Sequence, residues 1–204
     1  MKRVIKVLAF CATVLAWPMS AWADFSGPYA PANWTTTLTG TPPGGGGSVD
    51  ASGAPASITL NGGDSPCITM PCHLDYTIAA PGSGTLSFHW DYQTTDLAPD
   101  FDLFLVLNNG TAVQLSDDLG PSTQSGNYSF AVTAGQIVGF RLDCTDCSGG
   151  AATVTISNFS GPLAAPPPAA AVLPVPTLEF YGLAGLTALL GVFASRRLRR
   201  GRAS

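Results

Sequence analysis

The sequence predicts an all-β fold, an antiparallel β-sandwich with a jelly-roll-like arrangement, and three observations support this class. Apolar and polar residues alternate from Leu86 to Gln93, with the two-residue period of a half-buried strand. Asn109-Gly110 separates two β-type runs, which is a strong hairpin signal because both residues accept positive φ. Short runs of this kind, with turns between them and no amphipathic helix, fill residues 24–160 and are typical of sandwiches.

About eight to ten strands are predicted in this body, eight of them assigned to residues, and residue pairs that favour turns separate them. The turn pairs are Pro81-Gly82, Gly120-Pro121, Ala134-Gly135 and Gly149-Gly150. The run from Phe101 to Leu107 is almost continuously apolar, as expected of a central strand covered on both faces. The expected strands are residues 57–60, 74–78, 86–92, 101–107, 111–115, 128–132, 137–142 and 152–159.

Two low-complexity segments interrupt or follow the predicted strands. Residues 42–48, PPGGGGS, are expected to form a flexible loop that cannot contribute to a core. Residues 161–174 are rich in Ala and Pro and favour an extended polyproline II conformation. This second segment is expected to be a linker that holds the domain away from a membrane.

The beginning of the chain has the three parts of a secretory signal peptide. Residues 1–23 contain an early basic region, an apolar run over residues 7–17, and Ala-Trp-Ala in the small-x-small pattern of a cleavage site. Cleavage by signal peptidase is expected between Ala23 and Asp24. The sequence therefore predicts that the body is exported.

The end of the chain predicts a transmembrane helix with the body outside the cell membrane. Residues 178–195 contain one charged side chain, Glu179. As a helix they would be about 27 Å long, against about 30 Å for the hydrocarbon core of a bilayer. An arginine cluster follows and should stay cytoplasmic by the positive-inside rule. The arginines that form the predicted stop-transfer segment are Arg196, Arg197, Arg199 and Arg200.

A short motif comes just before the apolar segment: Val175-Pro176-Thr177-Leu178, followed by Tyr181-Gly182. Together with the apolar span and the basic end, residues 175–204 resemble the IPTL-CTERM sorting signal of Gram-negative bacteria, with Val in place of Ile and Tyr in place of Trp. The resemblance implies an inner-membrane intermediate, processing by an exosortase-type enzyme, and delivery to the envelope, the cell surface or the extracellular matrix. A plain C-terminal membrane anchor is the alternative.

The body carries a resemblance of its own. The stretches SGPYAPANWTTTL and GFRLDCTDCSGGAATVTISNFSGP lie within residues 25–162. They resemble a β-sandwich body often found in bacterial proteins with PEP-CTERM-like sorting tails. That body has no assigned activity, so the resemblance implies the fold and the compartment alone.

Charge excludes one class of partner. Arg141 is the single Lys or Arg between residues 24 and 174, against twelve aspartates, so the exported body has a net charge near −11. A nucleic-acid-binding surface needs basic side chains to neutralise phosphates. Binding of nucleic acid is therefore excluded, and we expect Arg141 to pair with Asp143 or another carboxylate.

Four cysteines remain in the body, an even number in an oxidising compartment. Two local disulfides are the simplest pairing, and crossed pairs between the two loops are the first alternative. A zinc site made of four thiolates is the second alternative. The four residues are Cys67, Cys72, Cys144 and Cys147.

Aspartates and aromatic residues are the other candidate ligand-binding groups. Carboxylates clustered at the loops of a sandwich are typical Ca²⁺ ligands, and the weak candidates here are Asp91, Asp96, Asp100 and Asp102. Aromatic rings could form a sugar-binding platform, from Tyr29, Trp34, Trp90 and Tyr92. Trp90 and Tyr92 share the apolar face of their strand and are expected in the core, which leaves Trp34 as the expected exposed ring.

Catalysis has little support in the sequence. His89 is expected to point away from the Phe88 and Trp90 face, and Ser87 and Asp91 on its own face are nearly 7 Å away along a straight strand. We therefore predict no enzyme. The predicted function is that of an exported envelope or surface protein with a structural or interaction role. The alternative is an extracellular carbohydrate- or Ca²⁺-binding adhesion module, with envelope or matrix polysaccharide as its partner.

Overall fold

The computed structural model describes residues 22–167 and the helical residues 185–186, 188–190 and 192–193. The signal peptide up to residue 21, the Val175–Gly182 motif and the arginine cluster lie outside the described residues, as does most of the predicted transmembrane helix. The chain divides into two compact units, Met1–Ala165 and Pro166–Ser204. Among the residues described, no helix has the length and apolar character needed to cross a membrane.

The first unit is an antiparallel two-sheet sandwich, as predicted. One sheet has the strand order β3-β4-β11-β6-β9, with the short β1 also paired to β11. The other sheet has the order β2-β5-β10-β7-β8. The strands are β1 Trp22–Ala23, β2 Thr35–Thr41, β3 Ser48–Asp50, β4 Ser57–Asn61, β5 Thr69–Ala79, β6 Gly84–Thr94, β7 Asp102–Asn108, β8 Thr111–Gln114, β9 Thr123–Val132, β10 Ile137–Cys144 and β11 Ala152–Pro162.

All eight predicted strands are present, and the predicted hairpin joins β7 to β8. Asn108 pairs with Thr111, and the two residues between them have φ of 51° and 83°. The sequence analysis missed β1, β2 and β3. β2 reads TTTLTGT, which has no apolar alternation because an edge strand has little to bury.

The core lies between the two sheets. Leu86, Phe88, Trp90 and Tyr92 of β6 are all buried, so the predicted core role of Trp90 and Tyr92 is confirmed. They meet residues of the opposite sheet, where Tyr76, Phe104 and Phe140 are large buried side chains. The ring of Phe140 packs edge-on against Phe88 with centroids 5.0 Å apart.

The prediction of an exposed Trp34 ring is wrong, and Tyr29 is buried as well. Two 3₁₀ turns, Gly27–Tyr29 and Pro31–Asn33, bring the N-terminal segment back onto the core. Trp34 is 8% exposed and stacks on Tyr76 with ring centroids 4.8 Å apart. Its Nε1 donates to the Tyr29 carbonyl at 2.9 Å. None of the four aromatic candidates therefore offers an exposed platform.

Residues 42–48 also differ from the prediction of a flexible loop outside the core. Pro43–Gly46 forms a 3₁₀ turn, and Gly44 and Gly45 are buried. Both have positive φ, and a Cβ at Gly45 would lie 2.7 Å from Cys147 Sγ. Glycine permits this close approach because it has no side chain, so the turn packs against the sulfur atoms.

Candidate functional site

The outer side of the six-stranded sheet presents three rows of polar side chains, which we call the polar face. The register aligns residues of β3, β4, β11, β6 and β9, and their neighbours along each strand point into the core. The first row is Ser48, Asn61, Thr153, Gln93 and Thr123; the second is Asp50, Thr59, Thr155, Asp91 and Ser125; the third is Ser57, Ser157, His89 and Asn127.

The polar face consists of short uncharged side chains together with two aspartates and one histidine. Every position in the three rows is Ser, Thr, Asn, Gln, Asp or His, and Lys, Arg and Glu do not occur there. Short side chains lose little rotamer entropy when a ligand orders them, and Thr is already stiff at χ1. With strands about 4.8 Å apart, the first two rows, which cross five strands, extend roughly 19 Å across the sheet.

Hydrogen bonds within the polar face fix some of these side chains. Thr59 Oγ1 and Thr155 Oγ1 are 3.3 Å apart on neighbouring strands. His89 Nδ1 lies 3.1 Å from Asn127 Oδ1, and its Nε2 lies 3.4 Å from Asp91 Oδ1. His89 therefore points outward as predicted and bridges an amide and a carboxylate, so the expectation that Asp91 lies out of its reach is wrong.

An open depression of about 380 Å³ lies over the first two rows. Thr153 and Thr155 line one side of it, Asp91 and Gln93 line the middle, and Ser125 lies on the opposite side. Hydroxyl, amide and carboxylate oxygens thus converge on one shallow site. The hydroxyl and amide groups both donate and accept hydrogen bonds and the carboxylate accepts them, so the site does not require a charged ligand.

The predicted Ca²⁺ candidates do not form one group. Asp91 belongs to the polar face, whereas Asp102 begins β7 and is 3% exposed. Asp96 raises the pKa of Asp102, and so do two aspartates that sequence reasoning did not include, Asp64 and Asp146. These two lie far from Asp102 in the chain, so only the folded loops could bring their charges near it.

Asp102 is the most perturbed carboxyl in the described part of the chain. Burial is the main cause that raises its pKa, to about 6, and the neighbouring aspartates add to the effect. Thr94 opposes the rise because its Oγ1 donates to Asp102 Oδ2 at 2.7 Å. Asp96 Oδ2 is buried without a hydrogen-bond partner. Calcium binding by this acidic cluster stays a prediction.

The cysteines form the two local disulfides, Cys67–Cys72 and Cys144–Cys147, and not the crossed pairs. Their Cα atoms are 6.2 and 5.0 Å apart. The two bonds lie against each other, because Cys72 of β5 is directly opposite Cys144 of β10. The described residues hold one group of three or more side chains spaced closely enough for a metal ion, and it consists of Cys67, Cys72 and Cys147.

Arg141 pairs with Asp75. The prediction that it pairs with Asp143 or another carboxylate is therefore met by another carboxylate. Its Nε and Nη2 donate to the two carboxylate oxygens of Asp75 at 2.6 and 2.7 Å. Asp143 lies opposite His73 on the same outer sheet face. A bidentate pair of this kind holds the guanidinium in place, and it leaves the body without a mobile cation.

The two-sheet sandwich, its polar face and the C-terminal motif define a β-sandwich protein with a sorting signal. Residues 174–200 match the IPTL-CTERM motif, which confirms the resemblance noted for this segment. The match covers this short segment, and the sandwich lies outside it. A comparison with curated protein sequences gives no match.

The solved structures that match this chain are distant from it in sequence. The K1 cleaved adhesin domain of Lys-gingipain from Porphyromonas gingivalis W83 is 13% identical, with 72% of this chain and 99% of that chain covered and a TM-score of 0.41. CBM35 from Paenibacillus barcinonensis is 16% identical, with 63% of this chain and 94% of that chain covered and a TM-score of 0.35. The enzymatically active domain of bacteriophage CBA120 tailspike protein 4 is 16% identical with a TM-score of 0.36, and the match covers 65% of this chain and 20% of that domain.

Sequence reasoning missed the polar face as a site. The alternation in β6 and the Ser- and Thr-rich character of β4, β9 and β11 were visible in the sequence. Their alignment into rows depends on which strands are neighbours, and the order β4-β11-β6-β9 joins strands far apart in the chain. The sequence shows the polar residues of each strand, but it does not show that they form one surface.

Proposed function

We propose that this protein is exported, is sorted to the cell surface through its C-terminal motif, and binds neutral polysaccharide of the envelope or matrix through the polar face. The single observation that carries the binding role is the set of rows, made mostly of uncharged hydroxyl and amide side chains, with an open depression above them. The proposal assigns a binding role and no catalytic residue.

Charge and side-chain chemistry support a neutral glycan over other ligands. The polar face has no cation, and the net charge of the exported body is near −11, so anionic polymers are repelled. Sugar hydroxyls both donate and accept hydrogen bonds, as do the Ser, Thr, Asn and Gln side chains of the rows. Each contact is weak on its own, so affinity is expected to grow with the number of sugar units that span the rows.

Affinity gel electrophoresis of the purified body, residues 24–165, tests this proposal. Soluble neutral glucans, mannans and xylans are cast into the gel, with an anionic uronic-acid polymer as the comparison. We expect slower migration in at least one neutral glycan and no slowing in the anionic one. Unchanged migration in every neutral glycan contradicts the proposal.

A matched pair of variants locates the binding surface. Thr123→Arg with Thr153→Arg places two long side chains on the polar face at exposed positions of the first row. Thr35→Arg with Thr37→Arg makes the same change at exposed positions of β2 in the other sheet. The first variant should lose at least about tenfold in affinity, equal to about 1.4 kcal/mol, and the second should bind like the wild type. Equal losses in both variants would argue against the polar face.

The sorting part of the proposal is tested by intact mass spectrometry of the protein recovered from envelope and medium. We expect a chain that starts at Asp24, ends near Pro176-Thr177-Leu178, and carries both disulfides. Replacing Pro176 and Thr177 by alanine should leave the tail attached. A wild-type chain that still ends at Ser204 would make the C-terminal segment a plain anchor.

A further inference from the structure

The two disulfides lie close enough to exchange with each other. The Sγ atoms of Cys67, Cys72 and Cys147 all lie within 4.8 Å of one another, although the first two belong to one disulfide and the third to the other. Cys72 and Cys144 occupy opposite positions on β5 and β10, which fixes this proximity by strand register. Thiol–disulfide exchange requires a thiolate to reach a disulfide sulfur.

The surroundings keep the four sulfur atoms in one cluster. Cys72, Cys144 and Cys147 are between 0% and 3% exposed, and Cys67 packs against them. Gly45 covers the cluster from the 3₁₀ turn, since a Cβ there would lie 3.1 Å from Cys144 Sγ as well as against Cys147. Main-chain bonds from Cys67 N to Asp146 O and from Ile68 N to Thr41 O hold the outer loop in place.

The two disulfides differ in how a reagent reaches them. Cys67 is half-buried in a segment whose other residues from Asp64 to Pro71 are exposed, whereas both members of the second pair are buried. Ile68 and Met70, one and three residues after Cys67 in the chain, are 80% and 55% exposed. An approaching dithiol protein would therefore meet apolar side chains beside the one accessible sulfur.

We propose that the four cysteines form a single exchange site that accepts two electrons from a dithiol and rearranges to a crossed Cys72–Cys147 disulfide. The co-reactant is a dithiol of the cell envelope. The site is independent of the polar face, which lies on the other sheet.

The exchange proceeds in three balanced steps. A thiolate of the dithiol attacks Cys67 Sγ, forms a mixed disulfide there, and releases Cys72 as a thiolate. The Cys72 thiolate attacks Cys147 Sγ, forms the Cys72–Cys147 bond, and releases Cys144, which takes up a proton. The second thiol of the dithiol then attacks its own sulfur in the mixed disulfide and releases Cys67, which is protonated to the thiol. The dithiol is oxidised to a disulfide, and the protein gains two electrons and two protons as the thiols of Cys67 and Cys144.

The rearrangement changes what the disulfide bond constrains. Each original bond closes a short loop, with sequence separations of 5 and 3 residues. The crossed bond links β5 to the loop after β10, and a bond that closes a longer loop constrains the unfolded chain more strongly. The same reaction frees a thiol at Cys67, the least buried of the four positions.

Partial reduction of the folded wild-type body tests the proposal. The protein receives a limiting amount of a small dithiol, is quenched in acid, is alkylated with N-ethylmaleimide, and is digested for mass spectrometry. We expect alkylation of Cys67 and Cys144 together with a peptide cross-linked through Cys72 and Cys147. Alkylation of Cys67 and Cys72, with the second disulfide intact, would overturn the proposal, and so would any other crossed bond.

Two double variants separate exchange from direct attack. In Cys144→Ala/Cys147→Ala protein the accessible disulfide has no acceptor, so the same treatment should alkylate Cys67 and Cys72. In Cys67→Ala/Cys72→Ala protein the buried disulfide should stay oxidised under the same conditions. Its reduction at the wild-type rate would show that the dithiol reaches it directly, against the proposed order.

Discussion

Replacing Trp34 by alanine is expected to lower the free energy of unfolding by about 3–5 kcal/mol, the range for removal of a large aromatic side chain from a core. The ring stacks on Tyr76 and also on Phe140, with interplanar angles of 9° and 10°. Its removal takes the stacking partner of Tyr76 and one of several ring contacts of Phe140, and it leaves the Tyr29 carbonyl without the indole donor. Because domains are stable by about 5–15 kcal/mol, this single change removes a large part of the total.

Urea unfolding followed by near-ultraviolet circular dichroism measures the effect. Leu119→Ala is the control, because Leu119 is 96% exposed and its loss should change stability by less than about 0.5 kcal/mol. Trp34→Phe should fall between the two, since it keeps an aromatic ring and loses the hydrogen bond. A Trp34→Ala midpoint equal to that of the wild type would contradict the buried position of the ring.

This prediction also affects how binding experiments are read. Trp34 was the aromatic residue that the sequence favoured for contact with sugar. A Trp34→Ala protein that fails to bind a glycan would report loss of the fold, because the ring is 8% exposed. The arginine variants of the polar face avoid this problem, since they change exposed threonines.

Replacing Asp102 by asparagine is expected to remove a pH-dependent loss of stability. The folded-state pKa of Asp102 is about 6, above the ordinary value of 3.8. The folded protein therefore binds this proton more tightly than the unfolded chain, so its stabilising contribution is complete below about pH 4 and is lost as the pH rises to about 6. A difference of this size corresponds to about 3 kcal/mol at most.

Unfolding free energies measured between pH 4 and pH 7 test this expectation. The Asp102→Asn protein should gain stability relative to the wild type over that interval, because its side chain stays neutral and its carbonyl can still accept from Thr94. Leu119→Ala is the control, since it removes an exposed side chain that carries no ionisable group, and its curve should run parallel to that of the wild type. An Asp102→Asn curve that runs parallel to the wild-type curve would contradict the raised pKa of Asp102.

The same measurement tests the calcium prediction. If the acidic cluster around Asp102 binds Ca²⁺, adding the ion at pH 7 should raise the stability of the wild type, because a bound cation offsets the repulsion between carboxylates. The Asp102→Asn protein should respond less, since it lacks a ligand. No response in the wild type would remove calcium as a cofactor of this cluster.

Features that depend on local sequence were predicted correctly. The alternation in β6 identified its buried face, and Asn109-Gly110 identified the hairpin, because side-chain period and turn chemistry act between near neighbours. The pairing of Cys144 with Cys147 follows the same logic, since a single turn brings residues three apart in the chain within reach of each other. The match of residues 174–200 to the IPTL-CTERM motif is likewise a property of one continuous segment.

Features that depend on distant contacts were not predicted. Trp34 was expected at the surface because its neighbours in the chain are threonines, and the 3₁₀ turns before it bring it onto Tyr76 and Phe140. Residues 42–48 have the composition of a flexible linker, yet close packing on sulfur requires glycine at that place.

The sequence by itself determined the class of fold, the strands with clear alternation, the acidic character of the body and the presence of the sorting motif. The tertiary structure decided which polar residues form one face, which aspartates act on Asp102, and which sulfur atoms meet. The physical reason is that strand order joins segments far apart in the chain. Register then brings their side chains within contact distance. Because strand order and register depend on contacts between distant segments, the pattern within one segment does not predict them.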